Sequence, residues 1–144
     1  MELVQNIQSI ACDGEILSSK PLDPFSLLAE RQAQYGDLNF GFKVKTAHLH
    51  NPYEFLDKLH EDGWKFIHLI RLNILNTCIS YFYARDSGSF FYYPTKLPIA
   101  RRPRININAE ELLEALDFTR KALDHDLKLF SHRKHLAIEY ENDL

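Results

Sequence analysis

KFIHLIRLNILNTCISYFYARDSG, residues 65–88, is the stretch on which the fold turns. An apolar run from Phe66 to Ile70 ends at a single charge, Arg71. Apolar on both faces, the run KFIHLIR has the pattern of a central strand in a parallel sheet. From Asn73 to Ala84 the chain reads as a helix. An arginine at the C-terminal end of such a strand, just before a helix N-terminus, is suited to an anion. It supplies a fixed fork of donors, and the helix dipole adds its positive end. With a start near Asn73, Ser80 lies about 10 Å along the helix axis. Arg71 must therefore lean along the helix for both residues to touch one phosphate. The competing reading pairs Arg71 with an acid at the sheet edge and leaves Ser80 an ordinary helix residue.

The flanking segments extend this pattern. Leu3, Val4, Ile7 and Ile10 have helical spacing but no start signal before them. ACDGEIL (11–17) is a short turn or strand. DPFSLLAERQAQYG (23–36) reads as a helix with proline near its start and glycine at its end. NFGFKVKTAHL (39–49) alternates as a strand, with Phe40, Phe42 and Val44 on one side. NPYEFLDKLHEDG (51–63) is a short amphipathic helix capped by Asn51, with Pro52 at its first position. Residues 85–107 are irregular, aromatic and basic. The longest helix runs from Asn108 to about Phe130. Asn108 and Glu111 have capping-box spacing, and Leu112, Leu116, Leu123 and Leu127 form one stripe. HLAIEY (135–140) closes the chain as a strand.

Strands alternating with crossover helices predict an α/β fold: a parallel sheet with flanking helices, in a single domain spanning residues 1–144. Right-handed crossovers bring strand ends, and hence ligands, to one edge. A formal net charge of −3 gives no support to nucleic-acid binding. The stretch from Ser87 to Ala109 is locally different. It contains Lys96, Arg101, Arg102 and Arg104 and no acid, so it either attracts anions or is a solvated basic loop. Cys12 and Cys78 lie far apart within apolar patterns, as expected of reduced thiols in a cytoplasmic protein. No signal-peptide pattern and no membrane-length apolar run is present.

A strand, an arginine and a helix with serine eight or nine residues on resembles the 3′-phosphate-binding segment of sulfotransferases that use 3′-phosphoadenosine-5′-phosphosulfate (PAPS). HLIRLNILNTCISYFYARDSG resembles the bacterial enzymes that modify trehalose and Nod factors. Arg71, Asn73, Ser80, Ala84, Ser87 and Gly88 match, while Leu72 stands where a second arginine is common. ACDGEIL, NFGFKVKTAHL and HLAIEYENDL resemble further segments of that family, in the same order. The resemblance implies a P-loop-NTPase-like sulfotransferase fold that is incomplete in this chain. The family's 5′-phosphosulfate loop should precede Met1, and its C-terminal portion should follow Leu144. GDLNFGFKV is not a Walker A substitute, because Lys43 comes one place late and no Ser or Thr follows it.

The implied chemistry is transfer of a sulfuryl group from PAPS to a hydroxyl of a small acceptor, a carbohydrate by the resemblance, without a metal. Arg71 and Ser80 would hold the 3′-phosphate. Glu15 matches the position of the base in the nearest relatives, though it reads equally well as a surface glutamate. Lys43 and Lys45 alternate on a strand, so one could reach a sulfonate or both could be solvated. His48 loosely matches the base of the cytosolic enzymes, with one inserted residue. His48 and His50 have i, i+2 spacing but no third metal ligand nearby. His68, inside an apolar strand, reads as a satisfied core histidine. Trp64 reads as packing, and Asp117, Asp124 and Asp126 read as the solvated face of the long helix. Without the donor loop the isolated chain is expected to turn over little. An open sheet edge predicts self-association. The alternative is a non-catalytic remnant or partner-binding domain of the same fold.

Overall fold

The computed structural model describes residues 10–88 and 105–143. The helix read over residues 1–10 is outside this range except for Ile10, and so are Lys96, Arg101, Arg102 and Arg104. The chain divides into two compact units, Met1–Trp64 and Lys65–Leu144.

The first unit opens with β1 (Ile10–Asp13) and α1 (Pro24–Gln34), followed by β2 (Asn39–Phe42). β1 and β2 pair in parallel, with Ile10 opposite Asn39 and Asp13 opposite Phe42. α1 is the crossover. Asp23 caps it by accepting from the Ser26 amide at 3.1 Å, and Pro24 fills the first turn, where no amide donor is needed. Gly36, at φ 59°, supplies the left-handed turn after the helix. α2 (Pro52–Glu61) is capped by Asn51 and buries Phe55, Leu56 and Leu59. Trp64 meets Phe42 edge-on at 5.4 Å and Phe40 at 6.0 Å, the packing role expected of it.

The expected strand over residues 39–49 stops at Phe42, and Thr46–His48 form a 3₁₀ turn. His48 and His50 therefore do not have the i, i+2 geometry of a strand.

The second unit contains β3 (Phe66–Ile70), α3 (Ile74–Ser87), α4 (Ala109–Phe130), β4 (His135–Glu139) and the single-turn helix α5 (Tyr140–Asp143). β3 and β4 are parallel, with Phe66 opposite His135 and Ile70 opposite Glu139. Asn73 caps α3 by accepting from the Asn76 amide at 3.0 Å, and Gly88 closes the helix at φ 67°. Cys78 and Phe82 on α3 are buried, and the Cys78 Sγ lies 3.3 Å from Thr119 Oγ1 on α4.

Three details of this unit depart from the sequence pattern. Asn108 caps α4 through the Glu110 amide at 2.8 Å, but Glu111 does not complete a capping box, because it pairs with Arg85. The inner stripe of α4 follows Leu112, Leu116, Leu123 and Asp126. Leu127 is exposed, and Leu129 is the fully buried leucine. Asp126 is thus not on the solvated face. At a period of 3.6 residues, position 126 follows 123 on the inner side, whereas 127 has rotated outward.

The architecture is mixed α/β, with flanking helices and parallel strand pairing in both units. Among the described residues the strands form two two-stranded sheets, where one sheet was expected. β3 is accordingly not buried on both faces. His68 and Ile70 point inward, but Ile67 and Leu69 are 59% and 54% exposed. No helix among the described residues is long and apolar enough to cross a membrane.

Candidate functional site

The parallel register builds the site in the second unit. Ile70 lies opposite Glu139, so the residues that follow, Arg71 and Tyr140, leave the sheet side by side. The Arg71 guanidinium carbon sits 4.0 Å from the centroid of the Tyr140 ring. Both residues line an open cleft of about 550 Å³, together with Asn76, Ile79, Ser80 and Glu141. Arg71 and Ser80 therefore face one cavity, as the phosphate reading requires. Among the described residues Arg71 forms no ion pair with a carboxylate. Its ring contact leaves the guanidinium edge, which carries the N–H donors, without a hydrogen-bond partner among the described residues and able to donate to a planar or tetrahedral oxyanion.

The helix N-terminus behaves differently from the expectation. Glu141 accepts from the amides of Leu72 and Asn73, both at 3.0 Å. These are donors that an anion at the start of α3 would use. The hydrogen bond from Asn73, then that from Leu72, holds the Glu141 carboxyl below its ordinary range, and the charge of Arg71 adds to this. The backbone part of the expected anion site is thus filled by the protein's own carboxylate. The side-chain part, Arg71 with Ser80, is open.

Comparison with family models, with curated proteins and with solved structures finds no match to this chain.

In the first unit, three residues singled out in the sequence come together. Glu15 pairs with Lys43 at 2.7 Å and with Lys45 at 3.0 Å. The Lys43 amide also donates to the Gly14 carbonyl at 3.2 Å, which carries the strand pairing one step past Phe42 and aims Lys43 at Glu15. The hydrogen bond from Lys43 is the chief reason that the Glu15 carboxyl lies below its ordinary range; Lys45 contributes less. Glu15 is therefore ionised at neutral pH and a weak base while both lysines hold it. Neither lysine is simply solvated.

His48 ends the 3₁₀ turn, and its Nδ1 is buried without a hydrogen-bond partner among the described residues. A buried N–H without an acceptor is the costlier of the two orphans, so the proton belongs on Nε2. Acting as a base through Nε2 would require that proton on Nδ1, with nothing to receive it.

His68 is buried at 8% exposure and stacks on Phe130 at 4.3 Å, but its Nδ1 also lacks a partner among the described residues. The sequence suggested a satisfied core histidine, and the second half of that expectation fails. Burial is the main cause that pushes its pKa below the usual histidine value; Asp126 opposes this and His135 reinforces it.

Tyr140 and Glu141 had no assigned role in the sequence. Their signal was the segment HLAIEYENDL itself. Read as a parallel partner of KFIHLIR, it places them next to Arg71.

Proposed function

We propose that this chain is a sulfotransferase-like protein of P-loop-NTPase-like fold that holds the 3′-phosphate of PAPS at Arg71 and Ser80. The sulfuryl group goes to a hydroxyl of a small carbohydrate acceptor. The observation that carries the reading is the shared cleft: a strand-end arginine that forms no ion pair among the described residues and a hydroxyl two turns along the next helix line one cavity. Charge-assisted hydrogen bonds from a guanidinium and a hydroxyl are the interactions that a phosphate dianion needs. Glu15 is the stronger candidate for the base that takes the acceptor proton, because it is ionised and His48 presents a donor. Its basicity rises when Lys43 and Lys45 turn from it toward another anion, and the reading gives Lys43 the sulfonate oxygens. The parallel α/β pairing and the order of the matching segments support the fold assignment.

A second reading has an observation of its own. Glu141 occupies the donors at the start of α3 and adds a negative charge to the cleft. A protein that keeps the fold for partner binding, without nucleotide, would have no reason to avoid that arrangement.

Isothermal calorimetry with adenosine 3′,5′-bisphosphate separates the two. The first reading expects binding that is lost in Arg71→Ala and weakened in Ser80→Ala. Absence of heat in the parent, or a parent and Arg71→Ala that behave alike, supports the second.

A further inference from the structure

Glu141 is the residue of the Arg71 cleft that phosphate binding alone leaves without a use. It lines the same cavity as Arg71 and Ser80, and it brings a negative charge to the place where a phosphate would lie. Among the described residues Arg71 and Glu141 are the only charged side chains of the lining, so the lining is neutral as a whole. A carboxylate beside a bound phosphate repels it. That cost is offset when the ligand brings the carboxylate a hydrogen-bond donor.

The carboxylate is fixed in place. Glu141 Oε2 accepts from the Leu72 amide and Oε1 from the Asn73 amide, each at 3.0 Å. Leu72 and Asn73 are the two residues after Arg71, so the carboxylate stands beside the strand end that carries the guanidinium. From the other strand, Tyr140 precedes Glu141 in the chain and puts its ring under Arg71. The charge of Arg71 acts on Glu141, yet the two form no ion pair among the described residues. An ionised carboxylate has about four acceptor sites. The amides of Asn73 and Leu72 and Glu141's own amide take three of them. An acceptor site is thus left over in a cleft that also offers a guanidinium.

A ligand that satisfies both groups carries an anion and, next to it, a neutral donor. On a ribose 3′-phosphate the carbon adjacent to the phosphate ester bears the 2′-hydroxyl, the donor nearest the phosphate. Carboxylates take ribose hydroxyls in this way at dinucleotide sites. Asn76, one turn before Ser80 on the same face of α3, is the neutral alternative for that hydroxyl, and a charged acceptor forms the stronger bond.

We propose that Glu141 accepts a hydrogen bond from the hydroxyl on the carbon next to the phosphate that Arg71 holds, so that the cleft selects a 3′-phosphorylated ribose over its 2′-deoxy counterpart. This rests on Arg71 and Ser80 as the phosphate site and adds the residue that reads the sugar. It also gives the carboxylate a role that phosphate binding by itself does not.

Calorimetry on the whole chain compares adenosine 3′,5′-bisphosphate with its 2′-deoxy analogue. The parent is expected to bind the deoxy analogue about five- to tenfold more weakly, the loss of one hydrogen bond to a charged acceptor in an open cleft. In Glu141→Gln the ratio is expected to fall below about twofold. Removing the charge acts on both ligands alike, and any difference in sugar pucker acts on both proteins alike, so neither alters the change in ratio. Asn76→Ala is expected to keep the ratio of the parent. A second readout needs no variant: the side-chain carboxyl carbon signal of Glu141 in the labelled parent is expected to move further with the ribonucleotide than with the deoxy analogue at saturation. Equal affinities of the two ligands for the parent, or equal carboxyl shifts, would overturn the proposal and leave the phosphate site standing. A ratio that survives in Glu141→Gln, or collapses in Asn76→Ala, would overturn it by assigning the hydroxyl to another group. Binding of neither ligand would remove the proposal and the phosphate site together.

Discussion

Arg71 lies over the ring of Tyr140 at 4.0 Å, joining the ends of two parallel strands that are 69 residues apart in the chain. The contact follows from the register of β3 and β4 and fixes the plane of the guanidinium before any ligand arrives. Preorganisation of this kind reduces the side-chain entropy lost on binding. Tyr140→Phe keeps the ring and is expected to bind adenosine 3′,5′-bisphosphate like the parent. Tyr140→Ala removes the platform and should weaken binding several-fold, in line with about 0.5–1 kcal/mol for an exposed cation–π contact. Equal affinities of parent and Tyr140→Ala by calorimetry would separate the stack from ligand binding.

Lysine is not a substitute for the arginine. Arg71→Lys retains the charge but loses the planar fork and most of the stacking, so its affinity is expected to fall by roughly tenfold or more. Recovery of parent affinity in this variant would mean that the site senses charge alone.

Glu141 gives an acid-sensitive element. Its carboxyl is held below the ordinary glutamate range, chiefly by the Asn73 amide. Its contribution to stability is fully present above that ordinary range and is lost as the pH falls through the depressed value. Glu141→Gln is expected to flatten this part of the acid limb of thermal stability. It should also tighten anion binding at Arg71, because a negative charge leaves the cleft. Unfolding temperature followed against pH, and calorimetry at neutral pH, check the two halves separately.

Most of the strands and helices and two of the four side-chain caps were legible in the residues. Asn51 with Pro52 and Asn108 sit at the helix starts that their chemistry predicts, whereas Asp23 and Asn73 were read only as helix starts and the strand read over 39–49 ends at Phe42. Parallel pairing followed from alternation and occurs in both units. What failed was tertiary. Glu111 is drawn from a local cap to Arg85, which also stacks on Phe82, because a strong charged partner on α3 outcompetes a backbone amide. The Glu15–Lys43–Lys45 cluster needed the β1–β2 register to bring residue 15 next to residue 43. Glu141 over the start of α3 needed the β3–β4 register. Each of these depends on which strands pair, and local pattern does not contain that information.

His68 predicts a second pH limb, at higher pH. Buried against Phe130, with Nδ1 unpartnered among the described residues, it has its pKa pushed below the ordinary value of about 6.5. The unfolded chain takes up that proton first, so stability is complete above about pH 6.5 and declines as the pH drops toward the depressed value. His68→Leu removes the orphaned nitrogen and the titration together. It is expected to be at least as stable as the parent at pH 7 and to lose less stability between pH 7 and 5. A parent and variant with parallel pH profiles would contradict this.

The face of the β3–β4 sheet that carries Ile67, Leu69 and Leu136 is exposed and apolar, and it supports the expected self-association. Sedimentation should show a concentration-dependent species heavier than the monomer, reduced by Leu69→Lys. A monomer at all concentrations would remove this part of the account.

The central claim is that Arg71 holds a ribose 3′-phosphate. Phosphorus nuclear magnetic resonance of adenosine 3′,5′-bisphosphate reads it directly, because the two phosphates give separate signals. The account predicts that the 3′-phosphate signal moves and broadens on adding the protein, more than the 5′ signal, and that Arg71→Ala abolishes the effect. A shift confined to the 5′-phosphate, or no shift of either signal, would contradict it.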